Sequence, residues 1–265
     1  MPIRSWREIR TIAFLTLDTL FWSKKTVWVA LISGLVVGLA ALGRIVADLA
    51  WVRVPFTPSQ AFSTLMSTAV IHFLVVFVTL FYGTALVSDE VEGKTLTYLF
   101  LRPIPKTKIM LGKYLALVWI CSLLVLPAII ASYMLLYLRV NMQPFLEDVG
   151  RLAADLGIVF LAMAAYGGMF ALIGAWLKHP ILAGLLYGFG WEGLVSYLPG
   201  FTRKLTITHY VQSIFPHDDP AGALAMLVGE RTAPGEAVLT LVLLTAFFVA
   251  VAALVLREKE YILEQ

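Results

Sequence analysis

The sequence predicts an all-α, polytopic membrane protein of six transmembrane helices. An interfacial amphipathic helix precedes them, and one cytoplasmic loop carries a further short helix. Three observations predict this. Of the 265 residues, 60% are apolar and only 14% are charged. Mean hydropathy is +0.87, and the apolar residues gather into runs long enough to cross a bilayer. A soluble domain carries about 45–50% apolar and about 25% charged residues, and a water-soluble chain this size would have to cover its surface with apolar side chains. Disorder requires low hydrophobicity and high charge, the opposite balance.

A helix crossing about 30 Å of hydrocarbon needs about 20 mostly apolar residues. Six stretches of one transmembrane domain, 1–265, meet this requirement: 26–45, 66–87, 114–138, 152–177, 181–199 and 237–256. Arg44 and Asp48 mark the outer end of the first. Only Lys178, His179 and Pro180 separate the fourth from the fifth, so that pair is expected to be antiparallel.

Residues 1–25 have a helical stripe of their own. Ile3, Trp6, Ile9, Ala13, Leu17, Leu20 and Phe21 share one face, and Arg4, Arg7, Glu8, Thr11, Asp18 and Thr19 share the other. This predicts a helix lying in the interface, with Trp6 and Trp22 at headgroup depth and Arg4, Arg7 and Arg10 toward anionic lipid. No compact apolar core with a small-residue cleavage site follows the basic residues, so no removable signal peptide is expected.

Lys and Arg set orientation. With both termini in the cytoplasm, the inner side holds Arg4, Arg7, Arg10, Lys24, Lys25, Lys94, Arg102, Lys106, Lys108, Lys113, Lys178, Arg257 and Lys259, the majority of the 20 basic residues. The expected location is the inner, cytoplasmic membrane. The net charge of +3 is too small and too dispersed to signal nucleic-acid binding. The single cysteine, Cys121, lies in an apolar run and can close no internal disulfide.

The cytoplasmic loop 88–113 holds the most information. Asp89, Glu90 and Glu92 cluster at the end of the second span, and Gly93 follows. A short amphipathic stretch, Thr95 to Leu101, is then halted by Arg102-Pro103-Ile104-Pro105, since proline removes backbone donors and biases its predecessor away from helix. Lys106, Lys108 and Lys113 lead into the third span. A stiff helix flanked by charge of both signs suits docking on a soluble partner.

These residues resemble the loop of the type-2 permeases of ATP-binding-cassette transporters. The likeness lies in Asp89, Glu92-Gly93-Lys94-Thr95-Leu96, Leu99 to Leu101, Pro103, Lys106 to Lys108 and Gly112-Lys113. About 25 residues carry it, and the six-span layout with a long loop before the last span agrees with it. The resemblance implies a non-catalytic permease subunit that dimerises with an identical or related subunit to line a path. Two ABC ATPase subunits beneath would grip a coupling helix at 93–102, through Asp89, Glu90, Glu92, Gly93, Lys94, Thr95, Leu96, Tyr98, Leu99, Arg102 and Pro103. This chain would hold no cofactor, ATP and magnesium sitting on the partner ATPase. Two prolines and an arginine at 102–105 depart from the small polar residues expected there.

No Gly-x-x-x-x-Gly-Lys-[Ser/Thr] is present to cradle nucleotide phosphates, and no His-Glu-x-x-His, Gly-x-Ser-x-Gly or paired-cysteine motif supports catalysis. His217-Asp218-Asp219 reads as a solvated turn between Pro216 and Pro220, so no metal site is expected. Glu192 and His72 are the pathway candidates, because polar groups at membrane depth need a partner or water. For Glu192 two readings stand: it faces the path or an outer vestibule, or the helix breaks at Gly188–Gly193 and leaves it in headgroup water. For His72 they are a satisfied packing histidine and a substrate contact. Gly184 with Gly188, and Gly34 with Gly38, form small-residue faces that permit close helix approach. The outer segment 200–236 is expected to form short helices anchored by Ile207, Tyr210, Val211, Ile214 and Phe215.

The leading function is thus the membrane subunit of an ATP-driven exporter. The alternative passes ATP-driven movement to an extracytoplasmic protein without carrying a substrate, and a secondary transporter ranks below both for want of inverted repeats.

Overall fold

A computed structural model describes residues 2–47, 57–92, 105–137, 142–196, 201–215 and 231–258. Within these, the side chains of 2–5, 90–92, 142–147 and 201 are outside the description. The described residues form eight helices. Helix α1 is Pro2–Phe21, and α2 is Lys24–Ala47. The rod α3 runs through Pro58–Thr64, a π-helical stretch Leu65–Val75 and Val76–Glu92. Then come α4, Lys106–Leu136, and α5, Met142–Trp176. The composite α6 is Pro180–Leu185, a π-helical turn Leu186–Trp191 and Glu192–Val195. After a 3₁₀ turn, Phe201–Leu205, the short α7 is Ile207–Ile214, and α8 is Pro234–Glu258.

Five of these helices are long and apolar enough to cross a membrane: α2, α3 (Pro58–Asp89), α4, α5 (Asp148–Trp176) and α8. Six full spans do not form among the described residues. Of the stretch expected at 181–199, the described helix is Pro180–Val195, in the class of shorter apolar helices, and 197–199 lie outside the described residues. At about 1.5 Å per residue it is too short for about 30 Å of hydrocarbon. The loop expected at 88–113 is also shorter. Helix α3 continues to Glu92, and α4 starts at Lys106, just after Pro105 at its N-cap. Proline needs no donor partner at a helix start, so the chain can turn helical directly behind it.

The core centres on α3 and α5, and two glycines set their spacing. A Cβ on Gly83 would lie 2.6 Å from Cβ of Phe170, and one on Gly174 would lie 2.6 Å from the Thr84 carbonyl oxygen. Helix α6 packs on the same rod through the face formed by Gly184 and Gly188, where a Cβ would meet Leu80 and Val76. The outer helices are α2 and α8, whose spans are only 22% and 11% buried within the chain. Hydroxyls inside the bundle fold back on their own helices. Thr79, Thr84, Ser122 and Ser132 donate to carbonyls four residues earlier, at 2.6, 2.6, 2.7 and 2.8 Å. In an apolar medium each must find its partner inside the protein.

Replacing Gly174 with valine forces a side chain onto backbone that cannot yield, and should lower stability by about 1–3 kcal/mol. Gly157 has nothing within 4 Å of its Cβ position. Gly157→Val should therefore unfold close to the wild-type temperature in detergent micelles, and Gly174→Val clearly below it.

Candidate functional site

One end of the bundle gathers the C-terminal end of α3, the N-terminal ends of α2 and α4, and α1. Here α1 lies across α4 on Ile9 and Ile12, both buried. Gly112 makes the crossing possible, since a Cβ there would stand 2.9 Å from Ile12 Cγ2 and 3.0 Å from the Ile9 carbonyl oxygen. Ile12 was not in the stripe expected from sequence, and Trp6, which was, stays 67% exposed. Arg7 and Arg10 are exposed as well. Arg4 lies within α1, but its side chain is outside the described set.

Two ion pairs tie this N-terminal corner to the ends of α3 and α4, the two stems of the loop between them. On the α3 stem, Lys25 Nζ donates to both carboxylate oxygens of Asp89, at 2.6 and 2.8 Å. On the α4 stem, Lys108 Nζ donates to Glu8 Oε2 at 2.8 Å. Both pairs are partly exposed, and such pairs contribute at most about 1 kcal/mol each, so their use is to hold register. Between the stems, Lys113 is buried and donates to the Leu86 carbonyl oxygen at 3.0 Å. The sequence grouped Lys113 with Lys106 and Lys108 at the entry to the third span; in the fold it is buried and joins α4 to α3. Thr26 completes the corner. Its hydroxyl donates to the Leu20 carbonyl oxygen at 2.5 Å and accepts from the Tyr82 hydroxyl at 2.7 Å. Of the residues expected to meet an ATPase, Asp89 is described in full. Glu90 and Glu92 end α3 without described side chains, and Gly93, Lys94, Thr95, Leu96, Tyr98, Leu99, Arg102 and Pro103 lie outside the described residues.

At the far end of the bundle Glu192 forms a second centre. It is 2% exposed. Oε1 accepts from the Tyr187 hydroxyl and the Ile207 amide, both at 2.9 Å. Oε2 accepts from the Thr208 amide at 3.0 Å and the Thr208 hydroxyl at 2.7 Å. The Tyr166 hydroxyl stands 3.0 Å from Oε2 and 2.8 Å from Thr208 Oγ1. The carboxylate thus seats on the first amides of α7, where the helix dipole favours negative charge. Within the chain this closed pocket, rather than headgroup water or an open vestibule, surrounds Glu192. Thr206 caps the same helix, its hydroxyl accepting from the His209 amide at 3.3 Å.

His72 sits part-buried in the π-helical stretch of α3. Its Nδ1 meets the Ser67 carbonyl oxygen, which fixes the Nδ1–H tautomer. Nε2 is then free to accept from the Gln212 amide at 3.0 Å, while Gln212 Oε1 accepts from Arg203 at 3.0 Å. His72 and Glu192 therefore both reach α7 from different helices.

A family model described as ABC-2 family transporter protein matches residues 22–190. The chain belongs to that family. No curated protein matches it. As an ABC-2 membrane subunit it is a non-catalytic, multi-pass component, of a kind that generally partners with ABC ATPases and usually binds no cofactor. The match spans α2 through most of α6, so it contains both stems of the loop. It stops two residues short of Glu192 and leaves out α7 and α8. Among the described residues no three His, Cys, Asp or Glu side chains group as metal ligands.

Sequence reasoning missed Lys25, Glu8, Tyr166, Tyr187, Thr208 and Gln212. The Thr206 cap ahead of an amphipathic octet was the one local signal for α7; the other partners meet only through tertiary packing.

Glu192→Gln would turn an amide NH₂ toward groups that themselves donate, and should destabilise this end of the bundle by about 2–3 kcal/mol. Proteolysis between α6 and α7 should accelerate while the α1–α4 corner stays protected. His209 gives a pH signature. Burial pushes its ring below the ordinary pKa, helped by the positive charges of Arg203 and Lys204, and its Nε2 faces Thr232 Oγ1 at 3.0 Å. The unfolded ring takes a proton near pH ~6.5 and the folded ring only at lower pH. This contribution is therefore complete above about pH 6.5 and is lost as pH falls through the folded value. Melting temperatures compared at about pH 7.5 and about pH 5 should show the loss, and His209→Gln should shrink it.

Proposed function

We propose that this chain is the membrane half of an ATP-driven exporter, working as a dimer above two ATPase subunits that grip the 93–102 segment. The double clamp on the loop's stems carries the reading. Lys25–Asp89 and Glu8–Lys108 tie α1, α2, α3 and α4 to the same short segment. A push on the loop therefore moves four helices together, where an untethered hairpin would flex alone. The clamped end is the cytoplasmic one in this reading, since Arg7, Arg10, Lys24, Lys25, Lys106, Lys108, Lys113, Lys178 and Arg257 collect there. The membrane is the inner one, and both termini face the cytoplasm. The second subunit meets the outer helices, where Gly34 and Gly38 of α2 face open space. Glu192 and His72 shape the outer end of the path by fixing α7.

A second reading, transmission of movement to an extracytoplasmic protein without a substrate, draws on one observation. Arg203, Gln212 and His72 form a hydrogen-bonded line from the outer segment into α3, the rod that ends at the loop. Uptake of substrate into vesicles would distinguish export from this.

The coupling claim is tested by charge exchange in the chain co-expressed with its ATPase and reconstituted. Lys25→Glu or Asp89→Lys alone should cut membrane-subunit stimulation of ATP hydrolysis several-fold, and the double exchange should restore much of it. Full stimulation by both single variants would remove the clamp from the mechanism. A Gly-Ser replacement of 93–102 that still co-purified with the ATPase would refute docking at that segment.

A further inference from the structure

A groove of about 710 Å³ lies between α1 and α4, lateral to the Ile12–Gly112 crossing. That volume is in the range of small-molecule sites, about 300–1,000 Å³. Trp6 and Phe14 form one wall and Leu115 and Trp119 the other, with Arg7 and Arg10 on the same lining. Trp6, Phe14 and Trp119 are each about two-thirds exposed, at 67%, 65% and 67%, so no described element covers the groove. Among the described residues no acidic side chain lines it. The acid nearest in sequence, Glu8, is engaged by Lys108. The groove is thus cationic on one part of its lining and apolar over the rest.

Its place in the fold specifies the occupant. Leu115 and Trp119 lie roughly 14 and 20 Å along α4 from its first residue, at about 1.5 Å per residue, well inside a helix apolar enough to span the bilayer. The arginines belong to α1, which joins that span level with the start of α4. A ligand filling the groove needs an anion at the interface and a hydrocarbon tail running inward along α4.

We propose that this groove binds one acidic glycerophospholipid, its phosphate between Arg7 and Arg10 and an acyl chain against Phe14, Leu115 and Trp119. Arginine suits the role, because its planar fork pairs with phosphate oxygens and stacks on aromatic faces. The bound lipid would brace α1 on α4 beside the Glu8–Lys108 pair, so the loop's α4 stem would depend on membrane composition. The site stands on these residues alone and does not require that the chain export anything.

The test titrates the purified full chain in detergent with phosphatidylglycerol, phosphatidylcholine or glycerol 3-phosphate, and counts retained lipid by native mass spectrometry. Phosphatidylglycerol should saturate at one tightly held molecule per chain, with phosphatidylcholine and glycerol 3-phosphate at least tenfold weaker. The exposed double variant R7Q/R10Q should weaken phosphatidylglycerol about thirtyfold, given what two basic residues contribute at an anionic surface. Ala13→Trp, which fills the groove and leaves both arginines, should also abolish the tight site. Equal binding of the two phospholipids, competition by glycerol 3-phosphate at equal strength, or wild-type binding by Ala13→Trp would each overturn the proposal. So would a disulfide joining two Trp6→Cys chains at this groove, which would assign it to a second copy.

Discussion

A carboxylate sealed away from water organises the far half of this protein. Burying an unpaired charge costs several kcal/mol, so wherever Glu192 sits, donors must converge on it. They come from three helices: Tyr166 from α5, Tyr187 from α6, and the first amides and a hydroxyl of α7. The chain between α6 and α7 must then turn back on itself to deliver them. A short helix followed by a returning short helix satisfies that demand, where a sixth full span would carry Glu192 away from α7. The shortness of α6 and the buried acid are one fact seen twice.

The other end is built on different physics. There the polar groups are at the rim, partly wet, and individually weak. What they supply is geometry. A surface pair on each stem, a buried lysine between the stems and a glycine that lets α1 rest on α4 make a corner in which no single contact dominates. Close packing continues the corner into the bundle, through Gly83 and Gly174, so that α3 and α5 move as one body. A stiff shaft joins a clamped end to a hydrogen-bonded end, an arrangement suited to a subunit driven from outside itself.

Most of the spans were legible because hydrocarbon imposes a length that composition alone reveals. The starts of α3 and α4 were not. Pro58 and Pro105 both permit helix directly behind them, and the turns that follow carry polar residues that an apolar window discounts. Lys113 was grouped with its basic neighbours because nothing local marks it as buried; its acceptor is the carbonyl of Leu86, 27 positions earlier. Glu192 and His72 stood out in the sequence as polar groups at membrane depth, yet their partners Thr208, Tyr166 and Gln212 lie 16, 26 and 140 positions away. Separations of that kind leave no periodic trace. Membership of the ABC-2 family was legible for the opposite reason, as the pattern that carries the resemblance is contiguous.

The clamp on both stems has a consequence for how such a chain diversifies. Asp89 and Lys108 are each held by the N-terminal corner. The spacing of α3 and α4 at this end therefore has a support in α1 and α2 that lies outside the 93–104 segment. Substitutions confined to that segment leave this support in place, much as a key blank can be recut without altering the bow.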